Sequence, residues 1–215
     1  MKKLNTITII SLIAMIILSL SNLFGYEAAK ISVIIGVVIF FVNKIITKQP
    51  FTGSGLDIIA VKSDLKSKSI WILIALPLVL NIIQIIIAKF LLPDYITYEL
   101  NRASNYITDE NYFVLAIQFL VLALGEEIAW RAFFQQQASK VYNVTPVILI
   151  SSALFAFGHY TNDNLLIVGF NLIFIFVVSC VFCVIYQKTK NAWISTIAHF
   201  IGNIVTFFIM VLFLV

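Results

Sequence analysis

Hydrophobic residues in this chain come in long unbroken runs separated by short polar stretches. They lack the alternating or one-faced patterns of a water-soluble fold. Runs approaching the roughly 20 residues that a membrane-spanning helix needs cover 5–24, 28–47, 70–92, 111–134, 146–161, 164–187 and 192–214. The pattern predicts an all-α fold, a polytopic transmembrane bundle of about seven helices. The fourth run carries two glutamates and an arginine, and the fifth is short. The longest polar connections are 48–69, a flexible link with Gly53, Gly55 and several serines, and 93–110, where a short surface helix is expected around Tyr95 to Tyr106. Residues 1–110 read as N-terminal membrane helices and loops, and 111–215 as the core that carries the chemistry, within one membrane domain.

Composition names the solvent. Of 215 residues 61% are hydrophobic and 11% charged, with a mean hydropathy of +1.05. Soluble domains average about 45–50% apolar and about 25% charged, so too few charges are present to cover a folded surface in water, and lipid must take that place. The net charge is +4, but the basic residues punctuate the spans and form no stripe interleaved with aromatics, which sets nucleic acid aside. Their positions instead predict orientation. With the N-terminus inside, Lys2, Lys3, Lys44, Lys48, Lys62, Lys66, Lys68, Lys140, Lys188 and Lys190 fall at cytoplasmic ends, against only Lys30, Lys89 and Arg102 outside. Glu27, Asp94, Glu99, Asp109, Glu110 and Asp163 collect on the outer side. The expectation is a multi-pass protein of the cell membrane, N-terminus cytoplasmic and C-terminus outside. Met1-Lys2-Lys3 resembles the start of a secretory signal, but Ser21 to Gly25 offer no small-x-small cleavage site, so the first span is expected to be retained. Cys180 and Cys183 sit in an apolar run and read as small residues on a helix face, not a redox pair.

Charges inside spans are costly and by default mark function. Leu124-Gly125-Glu126-Glu127-Ile128-Ala129-Trp130-Arg131 puts two adjacent carboxylates and a guanidinium on one helix. Glu127 and Arg131 are i, i+4 neighbours and should pair, which leaves Glu126 pointing elsewhere. The chain has two histidines, His159 at the end of the fifth run and His199 in the seventh, and Asn203 shares a helix face with His199. Taken singly, each has a bland reading: a packing histidine, or an ion cluster that sets helix contacts. Together in apolar helices they are most economically one polar pocket. A carboxylate and a histidine sharing a water can generate hydroxide, while a second histidine and an amide can donate to an oxyanion. Glu126, His159 and His199 would also suit zinc with an open position. Ser151, Ser152, Ser179 and Ser195 lie in or near spans, where hydroxyls commonly bond back to the helix, so a water nucleophile leads.

Glu-Glu-x-x-x-Arg at 126–131, Phe-x-x-x-His at 155–159 and His-x-x-x-Asn at 199–203 resemble, in order, the three motifs of the CPBP intramembrane proteases. That family groups CAAX prenyl endopeptidases with bacterial bacteriocin-processing and immunity proteins, also called Abi. The resemblance covers roughly 111–214 and extends to Gly125 and Lys190-Asn191-Ala192-Trp193. It implies that Glu126 with His159 activates water, that His199 and Asn203 stabilise the oxyanion, and that Glu127 and Arg131 support and orient. A metal-free mechanism is expected, with zinc the alternative. The implied activity is an intramembrane endopeptidase acting on a peptide or protein at the lipid bilayer. An Ile-, Lys- and Asn-rich composition favours bacterial peptide processing over a eukaryotic prenyl-protein role. The rival readings are a non-enzymatic immunity or regulatory scaffold of the same fold and a proton-coupled transporter. Helix arithmetic leaves one strain. His199 lies near the cytoplasmic start of its run and Glu126 mid-span, so the last helix must begin deeper or tilt, and the cavity is expected to open to the cytoplasmic side.

Overall fold

The computed structural model describes residues 4–26, 28–50, 55–104 and 112–213. Lys2, Lys3, Glu27, Gly53, Tyr106, Asp109 and Glu110 lie outside the described residues. The fold is all-α. Its helices are α1 (Thr6–Leu20, extended by a 3-10 turn Ser21–Phe24), α2 (Ala29–Ile46), α3 (Lys68–Leu91), α4 (Asp94–Ser104), α5 (Tyr112–Glu127), α6 (Val144–Phe157), α7 (Leu165–Thr189) and α8 (Ala192–Phe213). A single helical turn, Val61–Asp64, precedes α3, and α5 continues as a π-helix, Ile128–Gln135, and a last turn, Gln136–Ala138. Among the described residues six helices are long and apolar enough to cross a membrane. The fifth expected span, α6, has 14 residues, roughly 21 Å of helix against a hydrocarbon core of about 30 Å.

The chain is built for lipid. Large apolar side chains face outward, with Phe90 77% and Ile72 70% exposed, while Glu127, Arg131 and Gln135 are fully buried. The inner face of α1 is Thr8, Ser11, Met15 and Ser19, and that of α2 is Ala29, Ser32, Gly36 and Phe40. Small and hydroxyl residues in such stripes let membrane helices approach closely. The closest approach is at Gly36, where an added Cβ would lie 2.6 Å from the Ala129 Cβ. This seats α2 directly on the π-helical stretch. α8 is central and packs on α3, α5 and α7, while α6 packs on α7.

Two expectations change. The fifth helix stops at Phe157 and does not reach 161, so His159 stands on the turn beyond it. Backbone bonds from His159 N to Ala156 O (2.9 Å) and Tyr160 N to Phe157 O (3.0 Å) tighten the chain there. Asn22 on the turn after α1 donates to the Gly158 and Tyr160 carbonyls at 3.2 and 3.1 Å, holding the turn in place. The fourth span runs on to Ala138, with i→i+5 bonding over Ile128–Gln135. Hydropathy has no signal for that change of winding, which is frequent at functional sites. The expected surface helix forms as α4, and its Tyr95, Ile96 and Tyr98 are buried against the bundle.

Candidate active site

The site starts from a buried ion cluster. Glu127 Oε1 lies 3.2 Å from Arg131 Nη1, neither side chain having any exposed surface. Arg131 also donates to the Ser179 hydroxyl of α7 at 2.8 Å, and its guanidinium lies over the rings of Phe155 (4.6 Å) and Phe182 (5.3 Å). The cation therefore meets a carboxylate, a hydroxyl and two π surfaces, which offset part of the cost of a charge in low dielectric, while its Nε and Nη1 make no hydrogen bond among the described residues.

His199 sits against this cluster. Its Nδ1 is 3.0 Å from Glu127 Oε1, and its Nε2 is 3.7 Å from Glu126 Oε2. The ring stacks on Phe182 at 4.6 Å and meets Phe155 edge-on at 6.2 Å. One imidazole thus spans two adjacent carboxylates. His159 is oriented differently, by a 2.8 Å bond between its Nδ1 and the Phe155 carbonyl. A carbonyl only accepts, so Nδ1 carries the proton and Nε2 keeps its lone pair in the neutral ring.

The depth mismatch between α5 and α8 is absorbed at the turn before α8. His199 is roughly 10 Å along α8, and Glu126 is roughly 18 Å of helix from Ala138. They meet because the α7–α8 turn is sunk into the protein. Asn191 is 1% exposed and Ala192 fully buried. The Asn191 side chain accepts from Asp57 N (3.2 Å) and donates to Asp57 O (2.8 Å) and Asp64 Oδ2 (3.1 Å). Ala192 N donates to Gly55 O at 2.9 Å. Residues Gly55–Asp64 thus cover the start of α8.

Glu126, His159, His199 and Asn203 all line one cavity of about 520 Å³. Glu127 and Arg131 do not line it and lie behind the wall, where Glu127 touches His199 and Arg131 pairs with Glu127. The cavity extends from Glu126 past Leu115, Asn171 and Met210 to Glu99 and Arg102 of α4. That is the side which the lysine pattern assigns to the outside, so this pattern and the expected cytoplasmic opening do not agree with each other. The other side is filled by Gly55–Asp64, folded over the α7–α8 turn. Glu126, His159 and His199, the alternative zinc set, do not form a metal-holding cluster, and no group of three His, Cys, Asp or Glu among the described residues does. Sequence reading gave no role to Asn22 or Asn171, took Asn191 only as part of the resemblance and expected the Ser179 hydroxyl to bond back to its helix; the partners of all four are far away in the chain.

Fold and site together define a multi-pass helical membrane protein with a carboxylate–histidine cavity within its bundle. Residues 108–205 match the family described as type II CAAX prenyl endopeptidase, Rce1-like, so this stretch is similar to the CPBP/CAAX proteases. The match takes in Glu126, Glu127, Arg131, His159, His199 and Asn203. No curated protein and no solved structure matches the chain.

Proposed function

We propose that the chain is a glutamate-dependent intramembrane endopeptidase that hydrolyses a peptide bond in a membrane-associated peptide or protein. What carries this reading is the shared cavity: Glu126, His159, His199 and Asn203 line one space within an otherwise apolar bundle. In the proposed reaction a water between Glu126 and His159 Nε2 gives up a proton to them as its oxygen attacks the scissile carbonyl carbon. The carbonyl oxygen becomes an oxyanion that accepts hydrogen bonds from His199 and the Asn203 amide. The C–N bond then breaks, and the proton taken from water passes to the leaving nitrogen. Donation by His199 through Nε2 requires a doubly protonated ring, and the carboxylates on either side compensate that charge. Glu127 and Arg131 are positioning residues that hold the imidazole.

Membranes from cells producing the wild-type chain or the Glu126→Ala variant are to be compared for new peptide termini by mass spectrometry. The expected result is a terminus present only with wild type, while the variant accumulates to the same level. The same terminus with the variant would remove the mechanism. Because the three candidate ligands do not cluster, prolonged treatment of the purified protein with a chelator is expected to leave cleavage within twofold of the untreated rate. Loss of cleavage restored by zinc would overturn the metal-free reading.

A further inference from the structure

The end of the cavity away from Glu126 holds a second polar group that the hydrolytic chemistry does not use. On α7 the residues lining the cavity, Asn171, Ile175, Val178 and Phe182, follow one another at helical spacing. Phe182 is the ring stacked on His199. Asn171 lies about three turns back along the helix, roughly 16 Å at 1.5 Å per residue. Its side-chain oxygen accepts from Gln84 Nε2 of α3 at 3.1 Å and from the Tyr95 hydroxyl of α4 at 3.0 Å. With both bonds on Oδ1, the oxygen end of the amide faces Gln84 and Tyr95. The NH2 group is left over. It is buried and among the described residues has no hydrogen-bond partner, in a residue only 3% exposed. Buried donors without acceptors are rare in folded proteins, and this one belongs to a side chain in the wall of a cavity.

We propose that Asn171 is a substrate-binding residue whose NH2 donates to a backbone carbonyl oxygen of a peptide lying extended along α7. The proposal rests on the peptidase reading above and specifies how such a substrate is held. An extended chain advances about 3.3–3.6 Å per residue, so roughly 16 Å from His199 places the contact four or five residues from the bond that is cut. A neutral amide donor suits a neutral carbonyl oxygen. The Ile175 and Val178 wall between the two points suits apolar side chains on the intervening residues. Gln84 and Tyr95 act through Asn171 as positioning residues.

The test uses the full-length purified protein and synthetic peptides that span the cleavage site found in the terminus comparison. In a positional series each backbone oxygen is replaced in turn by sulfur, a weaker acceptor. Asn171→Leu is the variant of choice, since it keeps the size of the side chain and removes the donor without adding a charge or a new O–H. The expected result is a rise of about tenfold in KM with kcat within twofold, the size of one hydrogen bond near 1.4 kcal/mol. Wild type is expected to lose affinity with sulfur at one bond four or five residues from the cut, and Asn171→Leu to be insensitive there, the non-additivity of a direct contact. An unchanged KM, or the same sulfur profile in both proteins, overturns the proposal while leaving the peptidase in place. Should the variant fail to fold, the wild-type profile decides: a sensitive bond at that distance supports the contact and a flat profile removes it. No turnover of any peptide by wild type removes subsite and peptidase together.

Discussion

The side chain of Glu127 has no exposed surface and that of Glu126 retains 23%, although the two are adjacent in the chain. Their partners differ accordingly. Glu127 is held by Arg131 and by His199 Nδ1, whereas Glu126 faces the cavity and approaches His199 only at 3.7 Å. Substitutions should therefore separate stability from chemistry. Arg131→Ala leaves a buried carboxylate without its cation and is expected to cost about 3–5 kcal/mol, read as a lower unfolding midpoint in detergent. Glu126→Gln keeps size and hydrogen bonding at a partly exposed position. Its midpoint is expected to stay within a degree or two of wild type, with cleavage down by about 10²–10⁴-fold, the range for losing a general base. Equal destabilisation by both would place Glu126 in the structural cluster and out of the reaction. The i, i+4 spacing made the Glu127–Arg131 pair legible in the sequence. The Ser179 contact and the two aromatic faces on Arg131 were not, because they come from another helix or from beyond the next loop.

Helices in this protein meet through small residues at a few close points. Gly36 of α2 touches the π-helical stretch two residues after Glu127, and a methyl group there would lie 2.6 Å from one on Ala129. Gly36→Ala is expected to cost about 1–3 kcal/mol by overpacking and to lower cleavage with it, since the displaced backbone carries both glutamates. Unfolding midpoint and turnover, measured on one preparation, check this; a stable, fully active variant would show that α2 moves aside freely. The α7–α8 turn is the other decisive element. Lys190 takes a left-handed conformation with φ 54°, Asn191 is bonded to Asp57 and Asp64, and the start of α8 is buried. Helix lengths follow from runs of apolar residues, which is why the described spans fall near the expected ones. The stop of α6 at Phe157 did not follow, because Phe157, Gly158 and His159 continue an apolar stretch. There the chain is held by Asn22, far away in sequence.

At the scale of the whole molecule the two faces are unlike. One is closed by Gly55–Asp64 over the buried turn, and toward the other, at α4, the cavity extends. The lysine pattern assigns the closed face to the cytoplasm. On that assignment a cysteine in place of Lys62, in a background lacking Cys180 and Cys183, is expected to react with a membrane-impermeant maleimide only after permeabilisation. A cysteine in place of Asp94 is expected to react in intact cells. The reverse labelling would invert the protein and bring the cavity to the cytoplasmic side.

Hydropathy is a local, additive property of the chain, so the sequence by itself determined that lipid is the solvent, that the fold is a helical bundle, and which few polar residues stand at a cost within its apolar helices. Spacing along one helix likewise determined the Glu127–Arg131 pair. Depth and facing are relations between helices, and only the tertiary structure decided them: that α8 starts low enough for His199 to reach both glutamates, that His159 stands on a turn with Nδ1 engaged, and that the cavity runs toward α4. A run of apolar residues reads much the same wherever it starts along the membrane normal, so no pattern within it reports the level at which it meets its neighbours.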